Sequence, residues 1–465
     1  MTSVLLIYPY FKPRNKKPSF LFPPLGLGYI ASSLLKAGHE VEVLDCTFLE
    51  KDEAYGRAVA SGADVVGIYS MASMRDEALR FARLLAGKTE LLVAGGPQPS
   101  SDPVPFLDDF DLVVIGEGEV TILEILNSFE EGSDLESVKG IAYRRGRWEG
   151  SISNHRKENK TLDDARCDDV IITEPRAHQQ DLDQIPFPAR DLFPNQDYTL
   201  YWRRRFGTAC TAVITTRGCP FSCEFCSRSV FGASYRERSP ENVLDEVEEV
   251  LDLGYDHVHF ADDVFTLNRD RVLDICQEIM DRGISFGWEC LGRVDSVDPA
   301  VTMAMKKAGC KRVLFGIESG SDSVLRLMRK RITVGEAERA VSAARDAGIK
   351  TGAFFILCYP GETDDTVLET LSFATRLPLD YISFTIPCPL PGTSLYERVK
   401  EKMASDDLLS DDVVVFDAEF SRRKMRFAAL KGEVQFEIRK RLGRGAPLVL
   451  APFEALTDEI FRRMK

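Results

Sequence analysis

The sequence predicts an α/β fold in two successive parts: a doubly wound parallel sheet, then a partial (β/α)6 barrel with a small helical C-terminal extension. Two observations carry this. Short β-branched runs alternate with amphipathic stretches over residues 1 to about 130, and six more strand and helix units recur between about 211 and 386. Strands covered by helices on both faces read as near-continuous apolar runs, the mark of a parallel sheet. A third observation is length, since 465 residues exceed what one ordinary core supports. The expected division is a first domain at 1–135, a linker at 136–195, a barrel at 196–400 and a helical extension at 401–465.

In the first part the strand-like runs are 4–8, 41–45, 65–69, 91–94 and 112–115, each ending in polar, Gly or Pro residues. Ligands of doubly wound sheets sit at the carboxyl ends of strands. The loops there include PPLGLG at 23–28, Ser70-Met71, Gly95-Gly96-Pro97-Gln98-Pro99 and Gly116-Glu117-Gly118-Glu119, with glycines that allow close backbone approach. Any one of them taken alone is as well read as a tight turn. Residues 131–195, which include WEGSISNHRKENKTLDDARCDD and QIPFPARDLFP, read as a polar connector, and Tyr201 to Phe206 as a solvated loop.

Strand-like runs of the second part fall at 211–216, 256–261, 286–290, 312–317, 352–357 and 381–386, too few to close an eight-stranded barrel. The loop after the first of them, ITTRGCPFSCEFCSRS, holds Cys219, Cys223 and Cys226 in a C-x3-C-x2-C spacing. Three thiolates on one turn suit iron–sulfur or zinc, and they leave one coordination position for another ligand. The plain alternative is a structural zinc knuckle completed by a fourth residue nearby.

Composition narrows the field. At 44% hydrophobic and 28% charged residues the chain is an ordinary globular one. A start without a basic region or cleavage site, and no apolar run of about 18 residues, point to a cytoplasmic protein with no membrane span. The eight cysteines outside the loop (46, 167, 210, 276, 290, 310, 358, 388) are scattered and read mostly as buried thiols of a reducing compartment. A formal net charge of −14 argues against a broad nucleic-acid surface, and the basic runs at 421–424 and 439–441 read as solvated helix faces.

TRGCPFSCEFC resembles the cluster loop of the radical S-adenosylmethionine enzymes. The resemblance implies a 4Fe–4S cluster on Cys219, Cys223 and Cys226 whose fourth iron binds S-adenosylmethionine, and an external electron donor of flavodoxin or ferredoxin type. It further implies cleavage to a 5′-deoxyadenosyl radical that removes hydrogen from an unreactive carbon. By the same resemblance Asp262 and Asp263 meet the methionyl amino group, Arg293 the carboxylate, Glu318 and Ser319 the ribose and Tyr359 the adenine side, while Phe225 of the cluster loop is a further S-adenosylmethionine contact. Helix caps are the plain alternative for Asp262, Asp263 and Glu318. Cys358 stands where glycine is common in the GYPGET element of the family.

PPLGLGYIASSLLKAGHEVEVLD, DVVGIYS, AGGPQPS and VVIGEGE together resemble the Rossmann-like cobalamin-binding domain that precedes one class of these enzymes. The residues implied are Tyr10, Leu25, Gly26, Ser70, Met71, Gly95, Gly96, Pro97, Gln98, Gly116, Glu117, Gly118 and Glu119. Better-known cobalamin modules place a histidine after the first strand, whereas all five histidines here (39, 155, 178, 257, 259) lie elsewhere. The lower face of the cobalt is then left to water, to Tyr10 or to the 25–27 loop. The alternative is a domain that has lost the cofactor.

The activity implied is a cobalamin-dependent radical C-methyltransferase acting on a small-molecule or peptidyl substrate. In it, one S-adenosylmethionine methylates cobalamin and a second makes the radical. A ring-forming oxidative enzyme similar to the anaerobic magnesium-protoporphyrin ester cyclases, and a non-catalytic cofactor sensor, are the alternatives. Methylthiolation of transfer RNA is disfavoured because Cys46 is alone in the first domain.

Overall fold

The structure is a computed structural model that describes residues 1–12, 20–145, 170–403, 420–443 and 446–464. His155, Cys167 and the rest of residues 146–169 of the polar connector lie outside the described residues. Contacts divide the chain into two units, the first formed by Met1–Ala212, Arg228–Arg238 and Glu249–Tyr255 and the second by the remainder.

In the first unit, β1 (Ser3–Tyr8), β2 (Glu40–Asp45), β3 (Val65–Tyr69), β4 (Leu91–Gly95) and β5 (Leu112–Val114) alternate with α1 (Leu25–Lys36), α2 (Lys51–Ala60), α3 (Arg75–Leu85), α4 (Pro97–Ser101) and α5 (Glu119–Glu131). The sheet order is β2-β1-β3-β4-β5-β6-β7, and β1 pairs in parallel with both β2 and β3. Strand order therefore reverses between β1 and β3, the point at which such sheets open a crevice. Apolar side chains alternate to two core clusters, one on each face, as in Leu5 and Ile7 against Val4 and Leu6.

The connector is more structured than its polarity suggests. It contributes β6 (Ile141–Arg144) and β7 (Val170–Ile172), both antiparallel, so the sheet is not purely parallel. Four or three residues carry too little pattern to stand out among polar neighbours, and pairing with β5 decides their state. Further on, Ala189 N donates to Gly28 O at 3.0 Å, and a Cβ at Gly28 would stand 2.8 Å from the Pro188 Cβ. Residues 201–206 are likewise no loop: they belong to α6 (Asn195–Phe206), whose Tyr198, Tyr201 and Trp202 share one buried face.

The strand β8 (Cys210–Val213) leads from the first unit into the second, followed by the short β9 (Thr216–Arg217) and β10 (Arg236–Glu237) and by α7 (Pro240–Asp252). Then come β11 (His257–Phe260), α8 (Arg269–Asp281), β12 (Gly287–Gly292), α9 (Pro299–Lys307), β13 (Cys310–Glu318), α10 (Asp322–Leu327), α11 (Val334–Asp346), β14 (Lys350–Ile356), α12 (Asp364–Arg376) and β15 (Tyr381–Thr385). Their parallel sheet runs β15-β14-β13-β12-β11-β8, six strands that do not close. After α13 (Ser394–Val399), α14 (Arg422–Leu442) packs on α12 and β15, and α15 (Ala446–Arg463) packs on α14. Gly432 makes this approach close, since a Cβ there would stand 2.5 Å from the Phe384 ring.

Cys46, Cys210, Cys276, Cys290, Cys310 and Cys358 are buried free thiols, whereas Cys388 is exposed. No helix among the described residues is long and apolar enough to cross a membrane.

Candidate active site

Strand β8 delivers the chain to the cysteine loop, and one carboxylate fixes the turn. Both Thr215 N, at 2.6 Å, and Thr216 N, at 2.9 Å, donate to Asp262 Oδ1, while Thr215 Oγ1 donates to Asp262 Oδ2 at 2.5 Å. Asp262 lies just beyond β11 and is 1% exposed. Burial pushes its pKa up, opposed by the Arg271 charge and the threonine hydrogen bonds. Arg271 Nη2 donates to Thr215 O at 3.1 Å, so α8 holds the same turn from behind. Asp262 therefore acts on the cysteine loop rather than facing solvent, while its exposed neighbour Asp263 raises the thiols of Cys219 and Cys226 electrostatically. Neither aspartate caps α8, because Asn268 does, with its side chain accepting from Arg271 N.

The three thiols lie within electrostatic reach of one another. Desolvation, Asp263 and the other two sulfurs push Cys226 up to about 12, with Lys330 opposing. Ionising all three is costly without a polycation, and iron or zinc removes that cost, so the donor set fits a metal cluster. Among the described residues no group of three or more His, Cys, Asp or Glu side chains stands at metal-holding separation, so the fit rests on donor chemistry rather than on preformed geometry.

The loop is clamped on its far side by Glu224, which the sequence reading passed over. It is buried, and its Oε2 accepts from the Tyr359 hydroxyl at 2.7 Å and is ion-paired to Arg398 Nη2 at 3.3 Å. Glu224 N donates to Met328 O and Leu395 N donates to Glu224 O. Phe225 meets the Tyr359 ring edge-on at 6.5 Å and packs with Val324, Met328, Ile356, Leu395 and Val399. An acidic residue inside the cysteine motif was the available signal.

The other predicted residues come to the same strand ends with their polar atoms already engaged. Arg293, after β12, stacks 3.5 Å over the Phe221 ring, binds Asp295 through Nε and Nη2 and donates from Nη2 to Lys330 O. Glu318 ends β13 with φ 71° and accepts from Lys330 Nζ at 2.9 Å. Ser319 is fully buried and hydrogen-bonded to Thr370 on α12. Cys358 has φ 61°, the conformation glycine tolerates best, which is the physical reason glycine suits that position.

In the same element Tyr359 N donates to Glu362 Oε2 at 2.7 Å, and Thr363 caps α12. Burial raises Glu362 from 4.5 to about 7. The folded state then binds a proton that the unfolded state releases, so this stability is present below about pH 4.5 and is lost as pH rises to about 7. Glu362→Gln is expected to remove that slope. Urea titrations between pH 5 and 7 should show the wild type losing on the order of 2 kcal/mol relative to the variant.

In the first unit, the residues predicted for the larger cofactor gather at the carboxyl edge of the parallel strands. Ser70 N donates to Gly95 O at 2.8 Å, Gln98 N to Ser70 O at 3.3 Å and Gly116 N to Ser100 Oγ at 3.0 Å, which ties three of the loops together. Gly96 has φ 107° and a Cβ there would stand 2.7 Å from Ser70 O, so only glycine lets these loops touch. The Tyr8 ring meets those of Tyr10 and Tyr69 at tilted angles at the β1/β3 reversal, and Met71, after β3, is exposed. A glycine cradle with apolar and aromatic walls fits a large flat ligand. Five of the predicted residues also have a part in the fold: Leu25 and Gly26 begin α1, Gly118 and Glu119 form the start of α5, and Glu117 is turned to Arg236 at 2.9 Å.

Two family models match the chain. Residues 213–374 match the radical SAM superfamily and residues 13–126 the B12 binding domain. The chain is 34% identical over 386 residues to an uncharacterized methyltransferase of Pyrococcus horikoshii, covering 81% of this chain and 78% of the relative. It is 26% identical to the anaerobic magnesium-protoporphyrin IX monomethyl ester cyclase of Cereibacter sphaeroides, covering 86% of this chain and 64% of that one. Among solved structures, the radical S-adenosylmethionine methyltransferase TsrM from Kitasatospora setae, with cobalamin and a 4Fe–4S cluster bound, shares the fold at a TM-score of 0.70 and 19% identity. That match covers 87% of this chain and 76% of TsrM.

Proposed function

This chain belongs to the radical SAM superfamily, in the methyltransferase group whose members carry a B12 binding domain ahead of the barrel, and from that premise we propose a cobalamin-dependent radical C-methyltransferase acting on an unactivated carbon. The observation that supports it most is the pairing, in one chain, of a three-thiol loop at a barrel strand end with a glycine-walled crevice at the end of a doubly wound sheet. When bound, the cluster supplies the electron that cleaves S-adenosylmethionine to a carbon radical, and cobalamin supplies the methyl group.

The chain's own residues hold and orient. Cys219, Cys223 and Cys226 would ligate three irons, and Asp262 with Arg271 would keep their loop in place. Asp263, the exposed carboxylate beside the thiols, would accept from the methionyl amino group, with Arg293 toward the carboxylate. Glu318 and Ser319 would serve the ribose side, Phe225 and Tyr359 the adenine side. Tyr10, Ser70, Met71, Gly95, Gly96, Pro97, Gln98 and Gly116 would receive the corrin, with Leu25, Gly26, Glu117, Gly118 and Glu119 at its margin. Holding reactants in fixed register is what such a scaffold contributes to rate. The substrate is a small molecule or a peptidyl side chain, the electron donor an external flavodoxin or ferredoxin, and the setting cytoplasmic, without a nucleic-acid partner.

The test is anaerobic reconstitution with iron, sulfide and cobalamin, followed by mass spectrometry of candidate substrates and of released 5′-deoxyadenosine. A gain of about 14 mass units per modification supports methyl transfer. Hydrogen loss or oxygen gain would instead select the ring-forming oxidative reading, which the likeness to the magnesium-protoporphyrin ester cyclase favours. No 5′-deoxyadenosine under any condition would select a sensor.

A further inference from the structure

We propose that Lys330 is the positioning residue that locks the cysteine loop to the S-adenosylmethionine site, an inference that rests on the function proposed above. Among the described residues four non-glycine side chains sit in the left-handed region: Glu318 at φ 71°, Arg329 at 54°, Arg331 at 56° and Cys358 at 61°. Two of them flank Lys330 and a third is its partner. Such backbone persists only where its surroundings over-determine it, and it concentrates at functional sites. Arg329 ends α10 in a way many helices end. Arg331 has no such role, and its turn carries Lys330 inward.

The side chain that results is only 7% exposed, although it stands in a basic stretch, Arg329-Lys330-Arg331. Its Nζ donates to Glu318 Oε1 at 2.9 Å and lies 5.9 Å from the centre of the Phe225 ring. Its carbonyl accepts from Arg293 Nη2 at 3.1 Å, and Met328 O, two residues earlier, accepts from Glu224 N at 3.0 Å. Met328 and Lys330 therefore hold Glu224 and Phe225 of the cysteine loop, Arg293 after β12 and Glu318 at the end of β13. A buried ion pair is a poor source of stability compared with apolar packing of equal volume, so a fixed position is the property this one contributes.

The test uses the full-length chain, reconstituted anaerobically, with Lys330→Met and Lys330→Arg. Iron content, the EPR spectrum of the reduced cluster with and without S-adenosylmethionine, and the Kd for S-adenosylmethionine by equilibrium dialysis are measured. Lys330→Met is expected to keep its iron, to raise Kd at least about tenfold and to lose the change in EPR spectrum at concentrations that saturate the wild type. Lys330→Arg, which restores a cation to Glu318, is expected to stay within about threefold of the wild type. Unchanged Kd in Lys330→Met overturns the role of Lys330 and leaves the proposed function standing. Equal iron loss in both variants also overturns it, because Lys330 would then support the cysteine loop alone. If Lys330→Met does not accumulate as folded protein, Glu318→Gln breaks the same pair at constant volume, and an unchanged Kd there overturns the proposal. A wild type that holds iron yet shows neither S-adenosylmethionine binding nor cleavage overturns both readings.

Discussion

Replacing any one of Cys219, Cys223 and Cys226 by alanine is expected to drop 5′-deoxyadenosine formation to assay background, a loss greater than about 100-fold, the scale that outer-shell changes alone reach at metal sites. Iron after reconstitution should fall from about four per chain toward zero, because two thiolates cannot hold a cubane that needs three. Folding should survive. The loop hangs from the Asp262 and Glu224 clamps, neither of which involves a thiol, so the circular dichroism and urea midpoint of each variant should match the unloaded wild type. Cleavage that persists in any single variant would sink the assignment of all three, whereas unfolding would show that the sulfurs support the loop.

Asp262→Ala is expected to act the other way, on folding first. The change strands two backbone N–H groups, of Thr215 and Thr216, and leaves the buried Arg271 guanidinium without its facing carboxylate. Removing one partner of a buried charged network costs about 3–5 kcal/mol. The unloaded protein should show that loss in urea unfolding, and cluster uptake should fall with it because the turn before Cys219 is no longer held. Asp263→Asn is the control: its side chain is exposed, so stability should stay within about 0.5 kcal/mol of the wild type while S-adenosylmethionine binding weakens. A stable Asp262→Ala protein would mean that the turn holds itself.

The same contrast shows how far the sequence could be read. Asp262 and Asp263 are adjacent and chemically identical, and both qualify as partners of a cationic amino group. Which one turns inward depends on where β8 lies beside β11, a long-range pairing that no local pattern encodes. The parallel strands were legible because each is a run of apolar residues covered on both faces. The strands β6 and β7 were not, because a strand of four or three residues draws its stability from its neighbour rather than from its own sequence. The helix α6 was obscured by Arg203, Arg204 and Arg205, whose charges masked the aromatic face of Tyr198, Tyr201 and Trp202.

By itself the sequence determined the order of the two α/β parts, the C-x3-C-x2-C donor set and the glycine loops at the strand ends, because spacing, periodicity and side-chain chemistry are local properties. Only the tertiary structure decided which polar groups are spent on the fold and which stay at the site. It turned Asp262 to Thr215, Glu117 to Arg236 and Ser319 to Thr370, and it buried Glu224 and Lys330, two charged residues to which no local pattern assigned a place. Burial and hydrogen-bond partnership arise between residues distant in the chain, and they set whether a carboxylate or an ammonium holds the protein or meets a ligand.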